Sequence, residues 1–151
     1  MQLEIRKATI ADIDKIISNR MEFISKIGEI VSPEQFIANT YDYIQKHLED
    51  GTFIAWLAIE KDEIVSIVII NIYTVIPTIK NLSGKSVYLI NVYTHENYQR
   101  KGLATQLLKN TIAEAKALGV NRIYLEATAQ GKFVYDKLGF ELLENQMALN
   151  I

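Results

Sequence analysis

Cysteine is absent from the 151-residue chain. That removes disulfides, thiolate nucleophiles and cysteine-ligated metals at once, and makes a reducing cytoplasm the simplest compartment to expect. Histidine is scarce as well. His47 and His95 stand far apart, and with no cysteine to join them they supply no ligand set for a metal. There is no basic excess: 16 lysines and arginines against 18 acidic residues leave a formal charge of −2. With a sequence pI near 5.7, that is the wrong sign for a protein built to grip a nucleic-acid backbone. Long hydrophobic runs are missing too. The longest apolar stretch, 64–76, is broken by Ser66, Asn71 and Thr74, and no leader pattern opens the chain, so neither membrane association nor processing is expected. No repeat or linker divides it. One domain over 1–151 is expected, large enough to bury roughly 70% of its unfolded surface.

What is present is periodic. QLEIRKAT, 2–9, alternates as a strand, and Thr9 followed by Asp12 forms a capping pattern ahead of a helix carrying Ile13, Ile16, Ile17, Met21 and Ile24. Ser32, Pro33 and Gln35 read as the cap, first turn and capping-box residue of a second helix, which Gly51 ends. The β-branched runs 53–59 and 64–73 flank EKDE as a hairpin, and the second run is apolar on both pleat faces, as a central covered strand should be. A loop over 74–86, assigned to the substrate side, leads to a strand over 87–94. A helix from Leu103 to Leu118 closes at Gly119 and is followed by a strand over 122–128. Strand, helix and strand make a crossover, so these two strands should run parallel. A short helix through Phe133 and Leu138 and a closing hairpin over 140–151 complete the reading.

The junction between the 87–94 strand and the following helix concentrates polar chemistry. Gln99, Arg100, Lys101 and Gly102 stand at a helix N-terminus, where unpaired N–H groups and the helix dipole suit an anionic oxygen. Neither G-x-x-x-x-G-K-[ST] nor G-x-G-x-x-G occurs, since Lys101 precedes the local glycine. On these residues alone, a phosphate cradle and a solvated basic turn weigh about equally.

Over a longer span, 87–104 with the helix behind it and FVYDKLGF, 133–140, resemble in order and spacing the acyl-CoA-binding half of the GNAT N-acetyltransferase superfamily. Its Q/R-x-x-G-x-G/A signature corresponds to Gln99 through Ala104, and a tyrosine four residues before Gly-Phe corresponds to Tyr135, Gly139 and Phe140. The resemblance implies an α/β (α+β) fold: a mixed, mostly antiparallel sheet of six or seven strands, about four helices, and one parallel pair that splays apart. It implies that Val92, Tyr93 and Thr94 bind pantetheine, and that Gln99, Arg100, Lys101, Gly102, Leu103, Ala104 and Thr105 cradle the pyrophosphate. Tyr135 becomes the hydrogen-bond donor to the departing CoA sulfur. The implied reaction is direct transfer of acetyl from acetyl-CoA to a primary amine, on a small molecule or a peptide, with no metal. A homodimer is left open.

Two positions depart from the family pattern. Ile90 stands where many members carry a glutamate base, and Thr128 replaces a frequent asparagine, with a hydroxyl that can still hydrogen-bond the cofactor and keeps it among the implied cofactor-binding residues. The base is therefore unassigned; Glu126 and His95 are the titratable groups beside the expected site. A non-catalytic acyl-CoA-binding or sensing module is the rival reading, favoured by Ile90 and opposed by Tyr135. Trp56, Tyr41, Tyr43 and Tyr73 are expected mostly in the core, with the lining of an acceptor pocket as the alternative, and the acceptor itself has no readable motif.

Overall fold

The computed structural model describes residues 2–151. Its centre is the strand that is apolar on both faces. The strand β3 (Glu63–Thr74) buries seven consecutive residues, Ile64 through Ile70, because helices cover the sheet on both sides. Around it run β1 (Glu4–Lys7), β2 (Phe53–Glu60), β4 (Lys85–Thr94) and β5 (Ile123–Leu125), in the spatial order β1-β2-β3-β4-β5. All neighbours are antiparallel except β4 and β5.

Helices α1 (Ile13–Ser25) and α2 (Pro33–Asp50) pack on one face through Ile13, Ile16, Ile17 and Ile44, meeting Leu57, Ile67 and Ile69 of the sheet. On the other face α3 (Leu103–Ala117) places Leu103, Leu107 and Leu108 against Val68, Ile70 and Leu89, with the short α4 (Lys132–Lys137) beside it. Leu107 and Leu108 are fully enclosed, so truncating either to alanine should cost about 2–5 kcal/mol.

Local chemistry sets the joints. The EKDE hairpin turns on Lys61 and Asp62, both left-handed, as a two-residue turn requires. Asp12 accepts the Thr9 N–H at 2.7 Å and a fork from Arg6 at 2.7 and 2.8 Å, starting a 3-10 turn (Ile10–Asp12) that leads into α1. Ser32 departs from expectation: it is left-handed (φ 54°) and its side chain makes no cap bond, so Pro33 at the first turn starts α2 without the capping box.

Three further expectations change. The connection between β3 and β4 is shorter than 74–86, because Thr74 and Lys85 pair. It folds on itself through Val75 N–H to Gly84 O (2.8 Å) and through the buried Asn81 amide, which donates to Ser86 Oγ (3.0 Å). The strand expected over 122–128 contracts to Ile123–Leu125, since β4 turns away and offers no further partner. The sheet has five strands, not six or seven: 140–151 forms no strand, and Met147, Leu149 and Ile151 stand exposed. The segment Glu144-Asn145-Gln146 has no glycine for a tight hairpin turn, and β5 gives only a three-residue edge. Tyr41, Tyr43 and Tyr73 also lie at the surface, not in the core.

Candidate active site

The site begins with one extra residue in β4. Ile69 pairs with Asn91 and Ile70 with Leu89, leaving Ile90 as a bulge. Backbone groups of a strand alternate in direction. Val87 N–H points to β5, donating to Arg122 O at 3.2 Å, whereas beyond the bulge His95 N–H points to β3, donating to Val65 O at 2.9 Å. By that alternation Val92 and Thr94 turn their N–H and C=O away from β3. There β5 has already left, since the parallel pairing ends at Leu89 and Leu125. A gap lined by unpaired backbone of β4 results. The bulge also reverses side-chain parity, sending Tyr93 onto the α1 side with Ile67 and Ile69.

The gap leads to the N-terminus of α3. After β4 a 3-10 turn, Glu96–Tyr98, is capped by His95 Nδ1, and Gln99 folds back to donate to Thr94 O at 3.1 Å. Arg100 and Gly102 are both left-handed, at φ 62° and 77°. That curl presents the first turn of α3: Gln106 N–H bonds Gly102 O at 3.0 Å, while among the described residues the N–H groups of Leu103, Ala104 and Thr105 meet no backbone acceptor. A side chain at Gly102 would meet nothing within 4 Å, so the space beside it is open to a ligand. Lys101 holds its ammonium 5.2 Å from the Tyr98 ring centroid. Backbone donors and the helix dipole thus meet, on a turn that carries Arg100 and Lys101, where a pyrophosphate is expected. The donors of Leu103, Ala104 and Thr105 and the Val92 backbone lie along one open path, with Thr94 O held by Gln99.

Tyr135 comes from α4. Its ring is buried and packs edge-on against Phe140 at 5.7 Å, and its hydroxyl has no partner among the described residues. Burial raises its pKa above the ordinary phenol value, so the hydroxyl stays protonated. Gly131 makes room for it: a methyl there would lie 3.0 Å from the ring and 3.2 Å from Thr128 Oγ1. Thr128 itself is engaged locally, its hydroxyl oxygen accepting the Gly131 N–H at 3.1 Å, which leaves its O–H to donate and one lone pair to accept. A cavity of about 610 Å³ beside β5 is lined by Tyr135, Glu126 and Tyr88 but by none of 90–105. It is the space left where 140–151 does not pair with β5, and it is not the phosphate cradle. Within it, burial first and the neighbouring Glu126 second raise the pKa of Tyr88.

The profile of the Acetyltransferase (GNAT) family matches residues 20–140. The chain belongs to that family. It is an acetyltransferase, and acetyl-CoA is its co-substrate. An N-alpha-acetyltransferase of Saccharolobus solfataricus is 27% identical over 143 residues, covering 91% of this chain and 79% of its own. An acetyltransferase structure from Clostridium acetobutylicum with acetyl-CoA superposes with a TM-score of 0.91 at 27% identity, covering 99% of this chain and 96% of that one. A GCN5-related N-acetyltransferase from Ralstonia eutropha JMP134 shares the fold, with a TM-score of 0.88, 20% identity and 99% of both chains covered.

The opposite wall of this acetyltransferase site was not legible in the motif. Tyr93, a sequence candidate, is buried against Phe23 and donates to Glu22 Oε1 at 3.1 Å, and its backbone faces β3 opposite Ile67, so the open backbone at this level belongs to its neighbours Val92 and Thr94. Glu22 also lies 3.8 Å from His95 Nε2. Arg20 of α1 reaches Asn91 Oδ1 at 3.1 Å, next to the bulge. One signal was available: Arg20 follows Ile16 by four and Ile17 by three, on the stripe that faces the sheet. Among the described residues no group of three His, Asp or Glu could hold a metal, and no helix is long and apolar enough to cross a membrane.

Proposed function

We propose that the protein transfers the acetyl group of acetyl-CoA to a primary amine by direct attack, with the thioester lodged in the gap between β4 and β5. The observation that carries this reading is the Ile90 bulge, which parts the strands after Leu89 and aims the unpaired Val92 N–H into the opening. Val92 N–H then donates to the thioester oxygen as negative charge develops on it. Residues 99–105 hold the pyrophosphate, pantetheine runs along the backbone of Val92, Tyr93 and Thr94, and the Tyr135 hydroxyl donates to the departing sulfur.

The amine class follows from magnitudes. With Ile90 where a carboxylate would serve as base, the acceptor must bring its own neutral nitrogen. An alkyl ammonium of pKa about 10.4 is neutral in roughly one molecule in 2,500 at pH 7, whereas a peptide α-amine of pKa about 8 is neutral in roughly one in ten. The α-amine is the better substrate for a site without a dedicated base, and the name of the Saccharolobus relative, N-alpha-acetyltransferase, supports the same class. The test is CoA thiol release from acetyl-CoA with peptide and small amines, beside calorimetry of acetyl-CoA binding. Turnover on α-amines well above that on lysine side chains is expected. Binding without thiol release on any amine would return the protein to a sensing role and overturn the reading.

A further inference from the structure

Helix α1 points an apolar stripe at the sheet, with Ile13, Ile16 and Ile17 almost wholly enclosed. The next position on that stripe is Arg20. Its guanidinium is held between the Phe36 ring, 5.7 Å from the centroid, and the Asn91 side chain, to which Nη1 donates at 3.1 Å. No carboxylate among the described residues forms an ion pair with it. The nearest acid along the helix, Glu22, instead accepts from the Tyr93 hydroxyl, and the next charge, Lys26, is another cation, 5.3 Å from the Tyr93 ring centroid. Burial pulls the Arg20 pKa below its ordinary value, as expected of a charge removed from water without a counter-ion.

Asn91 adds to the imbalance. It is 1% exposed, its Oδ1 is taken by Arg20, and its Nδ2 is buried with no acceptor. Two donor side chains therefore meet beside the bulge with no anion to satisfy them. A half-buried cation of this kind carries a desolvation cost, and its partner Asn91 adjoins the Ile90 bulge on the α1 side of the sheet.

We infer that Arg20, seated on Phe36 and Asn91, is the anchor for a carboxylate carried by the amine acceptor. This rests on the transferase reading above. The acceptor that combines this carboxylate with a weakly basic α-amine is a peptide whose first or second side chain is acidic. Arginine suits it because its fork can bind both carboxylate oxygens at once.

The experiment measures kcat and KM on matched pairs: peptides carrying Asp or Glu at the first or second position against the same peptides carrying Asn or Gln there. Wild-type protein should favour the carboxylate member of one pair at least tenfold in kcat/KM, mainly through KM. Arg20→Gln should reduce that ratio to near unity, Arg20→Lys should restore part of it, and acetyl-CoA affinity should hold in both. Arg20→Met serves as the folding control: removing a half-buried charge that has no ion-pair partner among the described residues should leave the melting temperature at or above that of wild type while abolishing the preference. A thermal shift with the preferred carboxylate compound, seen in wild type and lost in Arg20→Met, reads the site without turnover. The inference is overturned if the preference survives in Arg20→Gln, if Arg20→Met unfolds the protein, or if the variants lose acetyl-CoA binding instead. Failure of the transferase reading looks different, since no member of any pair would then be acetylated.

Discussion

Replacing Tyr135 with phenylalanine isolates one hydroxyl. The ring stays buried between Phe140 and the Gly131 turn, and no hydrogen bond to the protein is lost, because the hydroxyl has no partner among the described residues. Stability should therefore move by less than about 0.5 kcal/mol. Turnover should not be spared. A phenol of pKa about 10 facing a thiol of pKa about 8.5 makes full proton transfer uphill by about 2 kcal/mol. Burial raises the Tyr135 pKa further and makes transfer harder still. Donation of a hydrogen bond to the leaving thiolate remains, and a bond to a charged partner contributes about 1.5–3 kcal/mol, so kcat should fall roughly ten- to a hundredfold. That bond strengthens only as the thioester breaks, so acetyl-CoA affinity should be nearly unchanged. The raised pKa also has a sign: the protonated, donating form persists through neutral pH and to higher pH than in an ordinary phenol, so wild-type kcat should show no loss from this group at neutral or mildly alkaline pH. The assay is steady-state thiol release over pH 6–10 with a binding isotherm and melting curve for both proteins. A Phe variant with wild-type kcat would show that water, not Tyr135, serves the sulfur.

Three other perturbations test neighbouring parts of the argument. Gly102→Val places a side chain in open space at φ 77°, so it should strain the turn by about 1–2 kcal/mol and weaken acetyl-CoA at least tenfold by calorimetry; undiminished affinity in a folded variant would move the cradle elsewhere. Arg100→Gly relieves the left-handed strain at φ 62° and should raise the melting temperature by roughly 2 °C while weakening acetyl-CoA through the lost cation; a lower melting temperature would refute the strain. The Asp12 carboxyl is held down to about 2 from 3.8, first by the Arg6 hydrogen bond, so its contribution is complete above about pH 4 and is lost as pH falls toward 2. With Arg6 about one-third open to solvent, that contribution should be about 1–2 kcal/mol, and denaturant unfolding should find Asp12→Asn less stable than wild type by that amount at pH 7 but little different at pH 2.

The order of elements could be read along the chain because each reports a local property. The both-faced apolar run 64–70 is central whatever covers it, the spacing of Leu107, Leu108 and Ala115 makes one buried helix face, and the Gln99–Ala104 turn presents N–H groups simply by starting that helix. Membership of an acetyltransferase family was legible for the same reason, since its motifs are contiguous. Whether 140–151 closes the sheet was not, because pairing depends on the length of the β5 edge it must meet, and that edge is only three residues long. The Ile90 bulge was equally invisible: register belongs to two strands, and one extra residue in β4 decides that Tyr93 faces α1 while Val92 N–H faces the gap. Arg20 shows the difference most sharply. Its spacing put it on the sheet-facing stripe, but that its charge meets Asn91 and Phe36 and no acid depends on residues 71 and 16 positions away in the chain, brought beside it only by tertiary packing.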